Sequence, residues 1–164
     1  MTLRYLMAFP VIYFLIISFS LAGDTINELP LLSGPYLGQK PPGDTPVIFA
    51  PGIVSTGKEH SAAMFTPNGT EIWFARLFPA AIYYMKLNNG IWTYPQLASF
   101  CDTNTTSLYP VLSPDGNRMF FSSDRSIDAP GKRLSRGDYQ IWNVERKDGI
   151  WSRPSPLDKK IKFG

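Results

Sequence analysis

The sequence predicts an all-β chain: two four-stranded antiparallel meanders of the kind that serve as β-propeller blades, an incomplete propeller, behind a signal peptide. Three observations predict it. A segment of the chain recurs, Pro-Asn-Gly and Pro-Asp-Gly turns punctuate both copies, and aromatic residues reach 14% through 11 Phe, 8 Tyr and 4 Trp. Aromatic side chains favour strands, and internal repetition at 20 to 50 residues marks repeat architectures.

The leader comes first. Arg4 precedes an apolar run from Tyr5 to Leu21, which closes on Ser20-Leu21-Ala22-Gly23 before the polar Asp24. A basic start, an apolar middle and small residues at the exit make a secretory signal peptide over residues 1–22. An uncleaved membrane anchor is the alternative, since the run is just long enough to span a bilayer. No Cys follows the run, so a lipoprotein anchor is excluded. The expectation is an exported chain, periplasmic or extracellular, with no membrane contact beyond the leader.

Residues 23–58 form a Pro- and Gly-rich lead-in, with Gly34-Pro35, Pro41-Pro42-Gly43, Pro46 and Pro51-Gly52. Regular helix is impossible there. Short extended pieces such as Val47-Ile48-Phe49 are expected to pair with a sheet edge.

Residues 59–100 and 101–164 carry the repeat. Met64-Phe65-Thr66-Pro67-Asn68-Gly69-Thr70-Glu71-Ile72-Trp73-Phe74 matches Val111-Leu112-Ser113-Pro114-Asp115-Gly116-Asn117-Arg118-Met119-Phe120-Phe121 at an offset of 47. The stretch from Tyr83 to Trp92 then matches that from Ile141 to Trp151, with Asn89-Gly90 and Trp92 falling on Asp148-Gly149 and Trp151 at an offset of 59, so 12 residues are inserted after Phe121. The insertion is placed at residues 126–137. In the first copy the strands are expected at Ala62–Phe65, Glu71–Ala75, Ile82–Leu87 and Trp92–Leu97. Pro presets one corner of the first turn, and Asn or Asp followed by Gly supplies the positive φ that a tight hairpin needs. Asn89-Gly90 and Asp148-Gly149 do the same before the last strand. Apolar residues on both faces of the middle strands suit strands buried between neighbouring sheets.

Ser113-Pro114-Asp115-Gly116, with Phe120-Phe121-Ser122-Ser123-Asp124-Arg125 behind it, resembles the WD-like repeat of TolB-type β-propeller proteins. Asp138-Tyr139-Gln140-Ile141-Trp142 and Gly149-Ile150-Trp151-Ser152-Arg153-Pro154 are similar to the next two strands of that repeat. The resemblance spans residues 59–157. The first copy departs from it, with Thr66-Pro67-Asn68-Gly69 and with Ala75-Arg76-Leu77-Phe78-Pro79 in place of the Ser-Ser-Asp-Arg tail, and Gln140 stands where an acid is frequent. The resemblance implies an exported, non-enzymatic scaffold that binds a protein or a cell-envelope component. It also implies that Asp124 and Arg125 form a structural polar bracket between strands. The alternative is the propeller portion of a prolyl-oligopeptidase-like hydrolase whose catalytic residues lie outside this sequence. Two blades are fewer than a closed propeller holds, so apolar faces are expected at both ends, covered by further blades of a longer protein or by self-association.

Chemistry is sparse in the residues. One Cys and one His exclude an internal disulfide framework and a multi-His metal site. A net charge of +3 without a basic block gives no expectation of nucleic-acid binding. No cofactor or metal is expected: Asp115, Asp124, Asp128 and Asp138 lack calcium-loop spacing. The candidate partner-binding residues are Lys132, Arg133 and Arg136 in the insertion, three cations suited to an acidic group, and Glu59 with His60 where the first strand begins. A solvated loop and a solvated rim are the plainer readings of each. Cys101, without a basic neighbour in sequence, reads as incidental. Trp92 and Trp151 stand at matching positions, as do Tyr84 and Trp142, and both pairs read as core between the blades.

Overall fold

The computed structural model describes residues 32–157 apart from Pro130 and Arg136. The leader at 1–22, the first part of the lead-in and residues 158–164 lie outside the described residues.

The chain is all-β. The first sheet holds β1 (His60–Phe65), β2 (Glu71–Leu77), β3 (Ala80–Asn88), β4 (Ile91–Trp92) and β5 (Gln96–Leu97); the second holds β6 (Ser107–Leu112), β7 (Arg118–Ser123), β8 (Gln140–Lys147), β9 (Ile150–Trp151) and β10 (Ser155–Pro156). In each, three long strands run as an antiparallel meander, and two short pieces share the far edge of the third. The expected last strand is thus broken, with Thr93–Pro95 and Ser152–Pro154 between its halves. Pro95 and Pro154 have no N–H to give a ladder. The residue beginning each break compensates: the Thr93 hydroxyl accepts the Lys86 N–H at 3.0 Å, and the Ser152 hydroxyl accepts that of Glu145 at 3.1 Å.

The repeat holds strand by strand. Offsets of 47 through β2 and 59 from β3 map each pairing of the first sheet onto the second: Glu71 opposite Lys86 becomes Arg118 opposite Glu145, and Phe74 opposite Tyr83 becomes Phe121 opposite Trp142. Trp142 is therefore the counterpart of Tyr83, one residue before the Tyr84 expected from sequence. Even the irregularities recur. The first strand of each sheet slips register at one place, where Ala62 (φ 39) and its counterpart Tyr109 (φ 52) turn left-handed. Asn89-Gly90 and Asp148-Gly149 all have positive φ, as tight hairpins require. The insertion lies between Ser123 and Gln140, where the first sheet needs only Phe78-Pro79.

The sheets stack face to back. Ile72, Phe74 and Met85 on one face of the first sheet are buried with Leu37, Ala50, Ile53 and Val54 of the lead-in. Trp73, Ala75 and Ile82 on its other face are buried with Met119, Phe121, Trp142 and Val144 of the second sheet, sealed by Ala98 and Phe100 of the linker. Each large side chain so enclosed contributes about 1.5–3 kcal/mol. The lead-in thus covers a face expected to be bare; Val47 and Ile48 stay exposed and form no strand. Ser33 forms a β-bridge with Ile91 at the edge of the sheet. Trp92 belongs to this lead-in core, its indole N–H donating to the Gly34 carbonyl at 2.8 Å, while Trp151 packs between the sheets on Trp73 and Phe100. Only Trp151 takes the position between sheets expected of both.

Candidate functional site

The two ends of the stack differ in chemistry. At the end where β1 and β6 begin, the inserted loop folds back on the second sheet. Asp124, buried, accepts from the Thr106 N–H at 2.7 Å and from the Arg133 guanidinium at 2.7 Å, and Arg133 also reaches the Thr106 hydroxyl at 3.1 Å. Arg125, equally buried, donates to the Ser107 and Ser123 hydroxyls, the Phe100 carbonyl and Asp102. A buried cation with its donors met costs little, so Asp124 and Arg125 tie the strand ends of the second sheet to the linker and the inserted loop.

This bracket takes up Arg133, one of the expected partner-binding cations. Lys132 beside it is exposed, and Arg136 lies outside the described residues. Glu59 and His60 are exposed at the same end, and the His60 ring lies 2.9 Å from the Lys58 carbonyl oxygen. Arg133 and Pro79 line one cleft of about 380 Å³ between the sheets.

Cys101 has the cationic neighbour that its sequence surroundings lack. Burial nonetheless pushes the thiol up from its ordinary pKa, and the Ile82 backbone, the Ser107 hydroxyl and the Arg125 charge only partly offset this. A thiol held protonated is a poor nucleophile. Burial also opposes ionisation of Asp102, but hydrogen bonds from Thr105 and Asn104 and the Arg125 charge outweigh it and hold the carboxyl below its usual range.

At the opposite end an ion pair locks one sheet onto the other. Arg146 of β8 donates to Glu71 of β2 at 2.6 Å and to the Gly116 carbonyl at 2.8 Å, with its guanidinium over the Trp151 ring. Glu71 also accepts the Trp73 indole N–H at 3.0 Å and faces Lys86 at 3.5 Å. Gly116 has φ +71, so the turn calls for glycine, and a Cβ there would meet the Pro67 ring at 3.4 Å and Arg146 at 3.5 Å in ordinary van der Waals contact. Sequence reasoning missed Glu71 and Arg146. Their only signal was negative: the counterpart of Glu71 is Arg118, and that of Arg146 is Leu87.

The outer face of the second sheet is uncovered among the described residues. Val111 and Ile141 are exposed and Phe120 is half-buried. Their counterparts Met64, Trp73 and Ile82 all pack against the second sheet. At the edge of this face Arg118 pairs with Glu145 at 2.7 Å beside a cavity of about 520 Å³ lined by Pro114, Asp115, Asn117, Phe120 and Arg146. In the first sheet the matching place is filled by Gly116 and Arg146. The arrangement is an apolar floor with a charged rim. No protein-family model matches this chain, and no curated protein matches it either.

Proposed function

We propose that this chain is an exported, non-enzymatic β-propeller module, two blades of the TolB type, that engages another protein or a component of the cell envelope. The observation that carries the reading is the repeated face-to-back relation: lead-in on first sheet, first sheet on second, and an apolar face that none of the described residues covers. Soluble proteins seldom leave such a face bare unless it is used. Repeat sheets bury their faces on neighbours, and rigid scaffolds carry contacts on their loops. Lys132 of the inserted loop, with Glu59 and His60 exposed at the same end, would supply polar contacts at the rim.

The test is cross-linking in the source cell. A photo-reactive phenylalanine analogue replaces Phe120 in one variant and Lys132 in another, and the cells are fractionated. A discrete adduct in the exported fraction is the expected result. A chain retained in the cytoplasm would overturn the export, and a folded, exported chain that forms no adduct at either position would overturn the interaction role.

A further inference from the structure

The uncovered face of the second sheet differs from its covered counterpart in one systematic way. Glu71 and Lys86 of the first sheet are replaced by Arg118 and Glu145, so the pair is kept and its polarity reversed. In the first sheet, the charge at the edge of the interface is a carboxylate, and the sheet stacked on it supplies a guanidinium, Arg146. In the second, the charge in that position is a guanidinium, 52% exposed, with a cavity beside it where Gly116 and Arg146 would otherwise sit.

We propose that this face docks a further four-stranded sheet, carried by a partner polypeptide, that presents an apolar front like Met119, Phe121 and Val144 and a carboxylate where the second sheet has Arg146. The proposal rests on the interaction reading above and specifies its partner. Two observations favour this occupant over a second copy of the chain. The matching front of another copy is already buried under its own lead-in. That front carries Leu87, not an acid, at the Arg146 position. Opposite charges across such an interface fix register and exclude wrong partners.

The experiment appends a docking sheet to the whole chain. Residues 106–157 are repeated after Gly164, which keeps the natural spacing between sheets, in a background with Cys101→Ser and Val111→Cys. Maleimide labelling of the cysteine at position 111 of the original sheet reports coverage, with valine kept in the appended copy. When the appended copy carries Arg146→Glu, labelling should slow by about tenfold or more relative to the unextended chain, because tethering raises the effective concentration to millimolar. When it keeps Arg146, opposite Arg118, protection should be weaker. Exchanging the host pair, Arg118→Glu with Glu145→Lys, should restore protection by the Arg146 copy and remove it for the Arg146→Glu copy. Labelling that never slows in either matched combination would overturn the docking site, and equal slowing in matched and mismatched combinations would overturn the charge requirement. An unextended chain that sediments as a dimer with position 111 protected would make a second copy the occupant and overturn the proposal. Failure of the cell cross-linking with success here would remove the biological role and leave the surface property standing.

Discussion

The first and second sheets are one backbone design with two different surroundings. Pairing, register slips, turns and strand breaks coincide, yet the described residues cover the first sheet on both faces and the second on one. The strand pattern therefore does not decide burial; the neighbour does. Composition follows the neighbour. On the face that meets the second sheet, the first has Trp73, Ala75 and Tyr84; at the same places the second has Phe120, Ser122 and Asn143. The open face keeps an apolar floor and trades part of its aromatic surface for polar groups.

The sharpest test of that contrast pairs Trp73 with Phe120. Trp73 is 1% exposed, stacked on Tyr84 and Phe100. Trp73→Ala should lower unfolding free energy by about 3–5 kcal/mol, the cost of emptying a filled core site. Phe120→Ala should cost about 1 kcal/mol, as for a half-buried side chain at an open face. Urea denaturation of the two variants measures both. Equal losses would mean that the open face is covered in solution and that the two sheets are equivalent after all.

The charged pairs give a second, smaller contrast. Glu71 accepts from Arg146 and the Trp73 indole in a site where both acid and arginine are largely enclosed. Glu71→Ala leaves those donors unmet and should cost about 2–3 kcal/mol. Arg118→Ala breaks a solvated pair and should cost about 0.5 kcal/mol or less. Raising salt to 1 M should shrink the second effect and leave the first nearly unchanged, because screening acts mainly on exposed charges. A salt-insensitive Arg118 contribution would argue for a hidden partner at that corner.

The strand breaks give the third. Thr93 and Ser152 do the same job for Lys86 and Glu145, the first partly buried and the second exposed. Thr93→Val should cost about 1 kcal/mol, since a half-buried N–H loses its acceptor. Ser152→Ala should cost less, because water replaces the hydroxyl. Thermal melts of both variants rank them, and a reversed ranking would mean that the last strand of the second sheet is the better shielded one.

Much of this fold was legible, for reasons specific to its parts. Turn chemistry is local, so Pro67-Asn68-Gly69 and Pro114-Asp115-Gly116 disclosed both hairpins and the spacing of the repeat. The broken last strand was legible too, in Pro95 and Pro154, though a continuous strand was expected. The lead-in was not. An irregular segment laid across a sheet has no periodicity, and Leu37, Ile53 and Val54 show none. Nor was the Glu71–Arg146 pair, 75 residues apart and absent from the matching positions of the other copy. Comparing repeats finds what they share, and this interface is built from what they do not. The surroundings of Cys101 and Asp102 were hidden for a related reason: Arg125, their cationic neighbour, lies beyond a whole hairpin.

Asp102 offers the smallest and most selective prediction, at the junction of the two sheets. Its hydrogen bonds from Thr105 and Asn104 and its contact with Arg125 keep the folded carboxyl below its ordinary range, although burial opposes this. The unfolded chain titrates near the usual Asp value of about 3.9. The native state therefore binds fewer protons than the unfolded state as pH falls through that value, and stability falls with it. Asp102→Asn removes the carboxylate, so the stability gap between wild type and variant should be constant above about pH 5 and should narrow below about pH 4. The side chain is 48% exposed, so the full gap should be about 1 kcal/mol or less. Asp115 has the same sign of shift, from the Ser113 hydroxyl first and the Asn117 N–H next, but sits on a fully exposed turn of the second sheet. Asp115→Asn should therefore show the same narrowing with a smaller amplitude. A gap at Asp102 that persisted to pH 2 would mean that the linker carboxyl works through shape alone, and that the ionic tie between the sheets runs only through Glu71 and Arg146.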